Sequence, residues 1–527
     1  MNGAAKAVLA ALLACPWPAA GGGDETASVA GRVLDAATDR PLAKARIELE
    51  EVARVQSLED YERRRRYSTR TGADGRFELS EIPPGRYELT ASRPGYVRQD
   101  WTGKAVWVVG AALTLRPGER REKVIFRLQR AAAVTGRVTD PDGEPVPEAP
   151  VTLFAVSWAR GRPLFLPHRT AETDDRGLYR LFYVIPGRYY LGLKVGRASD
   201  TPSIRFWPGT LDPEQAEPIV LKPGDEIPGI DMIYQAPPAA VISGRVVGSD
   251  GAPVRDVFVG VVPAVEGPPP SPGFQRADPE TGEFELHALT GPAVLTARTF
   301  HGEPELLGRM ALEIPEGGLR DIVVRLHAGA VVKGRVEAAG ELPASLRLGL
   351  VPTWSWPQIY RSATVGSDGS FLLRDIFPGR YYLETPDLPK RAYVAAVWVG
   401  GEPLGEVLEV GPDRAPGELR VEIRWDSRSV RGVVRDREGN PLPGATVVAL
   451  PPRGRWRWWS RYRSGRTDQN GAFLIRHVPP DSSLVAVERL DLDAWAAPWF
   501  APKYAPYAKP LDDPEAEVEL IALPAPE

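Results

Sequence analysis

One short pattern recurs along the chain and restricts what the chain can fold into. Residues 74–96 read DGRFELSEIPPGRYELTASRPGY. Closely similar stretches occupy 176–197 and 368–387. In the first copy Phe77 and Leu79 lie two residues apart with a polar residue between them, and the same alternation continues after the turn. A period of two gives a strand one buried and one solvated face, and the Pro-Pro-Gly step fits a tight turn. The pattern therefore predicts repeated pairs of half-buried strands.

A second repeat places a glycine in the middle of a strand of the form apolar-x-Gly-x-Val. The five glycines are Gly31, Gly136, Gly244, Gly334 and Gly432. Glycine at such a position indicates a bulge or a close approach of another backbone. The repeat length of roughly 100 residues is that of one β-sandwich domain. We therefore predict a signal peptide and glycine linker at 1–23, followed by five sandwiches, called segments 1 to 5 below, at 24–131, 132–236, 237–329, 330–427 and 428–527.

An apolar residue follows each Phe-x-Leu strand at a spacing that breaks the alternation. In segment 1, Ile82 stands three residues after Leu79, and we expect it to close the end of the core. The same position holds Val184, Leu289, Ile376 and Val478 in the later segments. The closing strands of four segments are predicted at 124–128, 322–326, 421–425 and 518–523.

These elements resemble a known family. The stretches GRVLDAATDRPLAKARIEL (31–49) and TGADGRFELSEIPPGRYELTASRPGY (71–96) are similar to the carboxypeptidase regulatory-like domain, a transthyretin-like (prealbumin-like) sandwich. B-type repeats of surface adhesins and starch-binding-like modules are related folds. The resemblance implies an all-β fold, a tandem array of five Ig-like antiparallel β-sandwiches of about seven strands each. It is specific for fold and carries little information on function.

The N-terminal residues predict export. Lys6 precedes an apolar run at 7–14 that is too short to span a membrane. Cys15, the only cysteine, ends the sequence LLAC, which resembles a lipobox, so lipidation of Cys15 and cleavage near Gly21 both remain open. We expect a protein of the cell envelope (an outer-membrane lipoprotein or a periplasmic protein) or of the extracellular space. Its contact with the membrane, if any, is the lipid anchor.

Patterns for catalysis and for nucleic-acid binding are absent from the sequence. The five histidines, His168, His287, His301, His327 and His477, are scattered and form none of the paired zinc-ligand motifs of a carboxypeptidase. We find no Gly-x-Ser-x-Gly elbow, P-loop or dinucleotide fingerprint. A net charge of −4 gives no global basic field for nucleic acid. We therefore expect no enzyme activity, no metal and no cofactor, with an enzyme of unrecognised type as a remote alternative.

The loops that precede the Phe-x-Leu strands carry the strongest binding signal. Four of the five are rich in arginine and aromatic residues, for example RGRWRWWSRYRSGR at 453–466. Indole faces stack on the C–H faces of sugars, and guanidinium groups bond hydroxyls or carboxylates. The candidate ligand-binding residues are Trp354, Trp356 and Tyr360 in segment 4 and Trp456, Trp458, Trp459 and Tyr462 in segment 5. In the alternative interpretation, Trp456 and Trp458 are alternate residues of a longer strand that packs on the next sandwich.

Two functions follow from these alternatives. Exposed loop aromatics would favour a non-catalytic array of binding modules for a polysaccharide. Aromatics buried between sandwiches would favour a structural spacer or scaffold for an envelope protein, without a small ligand.

Overall fold

The computed structural model describes residues 25–52, 65–101, 112–159, 161–195, 203–235, 238–264, 274–300, 304–354, 359–412, 415–468, 470–488, 490, 493–511 and 517–524. The predicted signal peptide, Cys15 and Trp356 lie outside these residues. The described chain is almost all β-strand, so the predicted fold class is confirmed. Its helices are α1 (Phe500–Tyr504) and the 3-10 turns Pro213–Gln215, Trp459–Arg461, Ala494–Ala496 and Ala505–Tyr507. None of the helices among the described residues has the length and apolarity to cross a membrane.

Segment 1 is built from two sheets that enclose one core. Its strands are β1 (Ala27–Asp35), β2 (Arg46–Glu51), β3 (Arg66–Arg70), β4 (Arg76–Ile82), β5 (Gly85–Ser92), β6 (Gln99–Asp100), β7 (Ala112–Leu115) and β8 (Arg120–Leu128). One sheet has the order β4-β1-β8, and the other has the order β3-β2-β5-β6 with β7 also paired to β5. Inward-facing residues of both sheets, among them Val29, Leu49 and Phe126, are buried together.

The later segments repeat these sheets with additions. Segment 2 contains β9 (Ala132–Thr139), β10 (Pro150–Ala159), β11 (Arg162–Glu172), β12 (Leu178–Val184), β13 (Gly187–Val195), β14 (Ser203–Phe206), β15 (Ile219–Leu221), β16 (Glu226–Ile227) and β17 (Met232–Ile233). Segment 3 contains β18 (Ala239–Val247), β19 (Val257–Pro263), β20 (Gln275–Arg276), β21 (Glu283–Leu289), β22 (Gly291–Thr299), β23 (Leu306–Ile314), β24 (Leu319–Arg325) and β25 (His327–Ala328).

Segment 4 contains β26 (Ala330–Ala338), β27 (Arg347–Pro352), β28 (Arg361–Thr364), β29 (Ser370–Ile376), β30 (Gly379–Glu384), β31 (Tyr393–Val399), β32 (Glu402–Pro403), β33 (Leu408–Val410) and β34 (Leu419–Arg424). Segment 5 contains β35 (Arg428–Arg435), β36 (Thr446–Leu450), β37 (Arg463–Arg466), β38 (Ala472–Val478), β39 (Ser483–Val487), β40 (Lys509–Pro510) and β41 (Val518–Ile521).

The opening strand of each segment lies between two partners. In segments 1, 3, 4 and 5 it pairs antiparallel with the Phe-x-Leu strand and parallel with the closing strand. The parallel pair differs from the antiparallel expectation, because the closing strand enters the sheet by a crossover rather than by a hairpin. In segment 2 two short strands, β16 and β17, take the closing position beside β9.

The mid-strand glycines mark a close backbone approach. A Cβ on Gly31 would lie 2.0 Å from the carbonyl oxygen of Val124, and one on Gly432 would lie 1.8 Å from that of Val518. The closing strand thus runs directly over each glycine. Both predicted reasons for glycine are found at these positions, because the pairing of β1 with β8 also shifts register, as at a bulge, between Val29 and Gly31.

A left-handed residue explains the broken alternation at the end of the Phe-x-Leu strand. Glu81 has a φ of 57°, and the equivalent residues Tyr183, Asp375 and His477 have φ of 54°, 55° and 60°. This turn of the backbone points the next residue inward, so Ile82, Val184, Ile376 and Val478 are fully buried as predicted. Segment 3 pairs β18 with β21 without such an interruption. The prediction for Leu289 is therefore wrong: Ala288 is buried in its place and Leu289 is only half-buried.

The described residues group by their contacts into two units. The first comprises Met1–Val134 with Phe182–Gly187 and Leu221–Ile227, and the second comprises Thr135–Leu181, Arg188–Val220 and Pro228–Glu527. Within the second unit, segments 3, 4 and 5 each enclose a buried core of their own. The core of segment 4 also contains one residue from segment 5, Trp458.

Candidate functional site

The segment 5 loop, residues 451–462, joins β36 to β37 through successive tight turns. Backbone bonds of 3.0–3.1 Å run from Arg455 to Pro452, from Trp458 to Arg455 and from Arg461 to Trp458. Of the alternative interpretation, the longer strand is therefore wrong, because Trp456 and Trp458 lie in turns, whereas packing on another sandwich is found for Trp458. Because the loop consists of turns and not of a strand, neighbouring side chains point in different directions.

Trp458 leaves its own segment and enters the core of segment 4. It is 8% exposed and lies among the apolar residues of that core. Its Nε1 donates to the backbone oxygen of Gly405 at 3.1 Å, so the buried indole nitrogen has a partner. The guanidinium of Arg455 lies 5.4 Å from the ring centroid. Trp458 thus connects segment 5 to segment 4 by packing in the core of segment 4.

Arg461 contributes polar interactions to the same contact between segments 4 and 5. Its side chain is 0% exposed, and its Nη1 donates to the carbonyl oxygen of Val394, in segment 4, at 2.7 Å. Nη2 pairs with Asp481 of segment 5, which also accepts from Arg455 at 3.1 Å. Burial lowers the pKa of Arg461, and the charge of Asp481 opposes this effect. A buried charge needs such partners to be tolerated.

Tyr393 of segment 4 lies under this arginine. The Arg461 guanidinium is 4.9 Å from the Tyr393 ring centroid, and the Tyr393 hydroxyl donates to Asp426 at 2.7 Å. Burial, followed by the bond to Asp426, raises the pKa of Tyr393. The cation, the ring and the two carboxylates therefore form one network across segments 4 and 5.

Trp459, Tyr462 and Trp495 form a stack of three rings. The Tyr462 ring lies 5.8 Å from that of Trp459 and 5.4 Å from that of Trp495, at interplanar angles of 29° and 27°. Tyr462 is 5% exposed, its hydroxyl donates to the backbone oxygen of Trp456 at 3.0 Å, and burial raises its pKa. Trp456 and Trp459 are half-buried against the same cluster.

Sequence reasoning missed the other half of this cluster. Residues 493–508 cover the outer face of the sheet that contains β36 and β39, and they contribute Trp495, Trp499, Phe500 and Tyr504. The signal was present as the aromatic run AWAAPWFAPKYAPY at 494–507. A sheet covered on both faces also has near-continuous apolar strands, as in TVVAL of β36.

Of the segment 4 candidates, Trp354 packs against the same core that Trp458 enters. Trp354 is half-buried and meets Tyr381 edge to face, with centroids 5.2 Å apart, and the guanidinium of Arg309 lies 5.3 Å from its ring centroid. A Cβ on Gly379 would lie 2.2 Å from the Trp354 ring, so this glycine makes room for the indole. Tyr360 is 38% exposed and is the most open of the described candidate rings.

The contacts of Trp458 and Arg461 with segment 4 attach one sandwich to the other, and we call them the joint between segments 4 and 5. Within the part of the chain that the structure describes, no group of three or more His, Cys, Asp or Glu residues could hold a metal ion. The charged groups of the joint are engaged with one another, and the aromatic rings pack on protein. What the geometry accomplishes is the attachment of segment 5 to segment 4.

Comparisons with known proteins bear on the segments. The family model described as carboxypeptidase regulatory-like domain matches residues 28–125 and 429–500. No curated protein matches the sequence. Among solved structures, the Bacillus anthracis TIE protein is similar at 14% identity over 57% of this chain, with a TM-score of 0.17, and the match spans only 51% of that protein. A streptococcal ancillary pilin is similar at 13% identity over 57% of this chain and 99% of its own, with a TM-score of 0.23. BcpA, the major pilin subunit of Bacillus cereus, is similar at 12% identity over 56% of this chain and 100% of its own, with a TM-score of 0.16.

The two family matches coincide with segments that share the opening strand, the Phe-x-Leu strand and the parallel closing strand. The chain is thus a tandem β-sandwich protein in which segments 1 and 5 match the model of the carboxypeptidase regulatory-like domain.

Proposed function

We propose that this protein is a non-catalytic scaffold of the cell envelope, exported by its N-terminal segment. Segments 4 and 5 are held together by side chains that pass from one segment into the other. Its partner is another envelope protein that binds the array, and no small ligand is required for this role.

One observation carries the proposal. Trp458, a candidate ligand-binding residue of the loop, is only 8% exposed. Arg461, three residues later in the same loop, is 0% exposed. Both make hydrogen bonds to backbone oxygens of segment 4. Side chains placed in this way stabilise an arrangement of domains and leave little surface for a ligand.

Hydrogen exchange followed by mass spectrometry tests the proposal in the full chain. Trp458→Ala should speed exchange in β26 of segment 4 as well as in β36 of segment 5, because the indole lies in the core of segment 4 and is carried by the loop that follows β36. Deleting a buried tryptophan costs about 3–5 kcal/mol. Tyr507→Ala is the matched control, since this aromatic residue of segment 5 is 69% exposed and should leave both strands unchanged. If exchange becomes faster only in segment 5, or does not change in either segment, Trp458 does not connect the two segments and the joint is refuted.

Carbohydrate binding is a second candidate, supported by the exposure of Tyr360. A ring that is 38% exposed, with the half-buried indole of Trp354 in the same predicted loop, could offer a face to a sugar. A pull-down with insoluble polysaccharides should compare the wild type with Tyr360→Ala. Because Trp458 lies in a core, a variant that removes the segment 5 tryptophans would confuse binding with folding. Equal retention of both proteins, or of neither, would eliminate this candidate.

A further inference from the structure

The hairpin of β10 and β11 ends in a tight turn that reaches segment 5. Its last pairs are Trp158 with Pro163 and Ala159 with Arg162, and Gly161 in the turn has a φ of +77°. Such a φ is readily adopted only by glycine. The turn is part of segment 2, which is separated in sequence from segment 5 by two whole sandwiches.

Two contacts place this hairpin tip on the aromatic cluster of segment 5. The rings of Trp158 and Trp499 meet edge to face, with centroids 6.4 Å apart and an interplanar angle of 88°. A Cβ on Gly161 would lie 2.9 Å from Nη1 of Arg457 and 3.0 Å from Cζ2 of Trp459. The turn therefore fits against the loop without room for a side chain.

We propose that the hairpin tip of segment 2 and the aromatic surface of segment 5 form a clasp that opens and closes while every sandwich stays folded. The clasp residues Trp158, Trp459 and Trp499 are only half-buried and lie at the margin of the outer cluster. The inner cores of segments 4 and 5 contain none of them. Opening the clasp therefore leaves both cores intact, in contrast to withdrawal of Trp458.

This inference goes beyond the scaffold function, because it gives the scaffold two states. In the closed state segments 2 and 5 are tied to each other. In the open state segment 2 is released and the Trp459 and Trp499 rings are uncovered, while the joint between segments 4 and 5 persists. A conformational element of this kind needs two packings that differ little in free energy.

Distances between spin labels test the clasp in the full chain. Labels at Asp175→Cys in segment 2 and Lys509→Cys in segment 5, both exposed positions, are introduced in a Cys15→Ser background. The wild type should give a major short distance from the closed state and a minor population of longer distances from the open state, and a single distance alone would contradict the clasp. Gly161→Val should raise the population of longer distances several-fold, because its side chain would overlap Arg457 and Trp459.

Two further variants separate the clasp from damage to the hairpin. Gly143→Val is the matched control: Gly143 has a φ of +88° in the same segment, with no atom within 4 Å of an added Cβ, and its variant should keep the wild-type distribution. Trp158→Ala preserves the turn and should still release segment 2. Wild-type distributions in both Gly161→Val and Trp158→Ala would overturn the clasp, and so would an equal rise of the longer distances in Gly143→Val. None of these outcomes depends on the exchange behaviour of Trp458→Ala.

Discussion

Arg461 shows how one side chain can belong to two domains. It is contributed by a loop of segment 5, yet its guanidinium is enclosed by Val394 and Tyr393 of segment 4 and by Asp481 of its own segment. Arginine suits this position because its planar group donates in several directions at once and stacks on a ring. Asp481 retains access to water, with a side chain that is 41% exposed, so part of the ion pair remains solvated.

Removing this guanidinium should destabilise the joint. Arg461→Ala should lower the free energy of unfolding of segments 4 and 5 by about 3 kcal/mol or more, because the Val394 carbonyl loses its donor and a buried space opens. Arg453→Ala is the control, since Arg453 is an exposed arginine of the same loop. Denaturant titration of the full chain provides the measurement. Equal midpoints for the two variants would contradict the assigned role.

The lowered pKa of His168 predicts how the free energy of unfolding depends on pH. Its ring stacks on Tyr189 at 5.0 Å and 16°, and burial together with the charge of Arg169 lowers its pKa from 6.5 to about 4. The unfolded chain therefore binds a proton first as the pH falls. The stability that this histidine contributes is complete above pH 6.5 and is lost as the pH falls toward 4. His168→Phe should unfold with a weaker pH dependence over this window than the wild type does, whereas variation of the exposed His287 to Gln should preserve the wild-type dependence.

Among the elements, the pair of opening and closing strands is the most constrained. The closing strand passes over the mid-strand glycine so closely that any side chain would displace it. Gly432→Ala should therefore separate β41 from β35 and destabilise segment 5 by about 3 kcal/mol. Gly317→Ala serves as the control, since a Cβ there meets nothing within 4 Å. Thermal unfolding of both variants checks this prediction, and a Gly432→Ala protein as stable as the control would disprove the close approach.

A threonine clamp repeats in three segments and was not predicted. Thr71, Thr173 and Thr467 each donate to a backbone oxygen (Leu42, Val146 and Leu442, at 2.5, 2.6 and 2.7 Å) and each accept from a backbone N–H at 2.9 Å. Each clamp fastens the end of an edge strand to the turn that opens the second strand.

Thr467→Val tests the clamp. The valine has nearly the same shape but leaves a buried donor and an acceptor without partners, so segment 5 should lose about 1–3 kcal/mol. Thr364→Val, at an exposed threonine of β28, should change stability far less. If chemical denaturation gives the same loss for both variants, the clamp contributes nothing.

For the whole molecule, the fold of the segments could be predicted from the sequence, but the contacts between segments could not. Alternation and turn residues act locally, so Phe77, Leu79 and Ile82 revealed their burial from spacing alone. The left-handed residue that precedes Ile82 is a backbone property with no fixed side chain, as Glu, Tyr, Asp and His all occupy it, and its absence in segment 3 could not be read from the sequence.

Composition selected the candidate residues and left their environment open between a ligand surface and a contact between sandwiches. Arginine and tryptophan are compatible with a sugar surface and with a joint between domains, since both residue types combine apolar area with hydrogen-bond donors. Only contacts between residues distant in sequence, such as Trp458 with Gly405, distinguish the two.

Hydroxyl-radical footprinting of the full chain measures this environment directly, by comparing the oxidation rate of each ring in the native protein with its rate in denaturant. We expect strong protection at Trp458 and Tyr462, which are 8% and 5% exposed, and weak protection at Tyr360 and Tyr507, which are 38% and 69% exposed. Oxidation of Trp458 at the rate of Tyr507, after this normalisation, would show that the loop faces solvent and would contradict the joint.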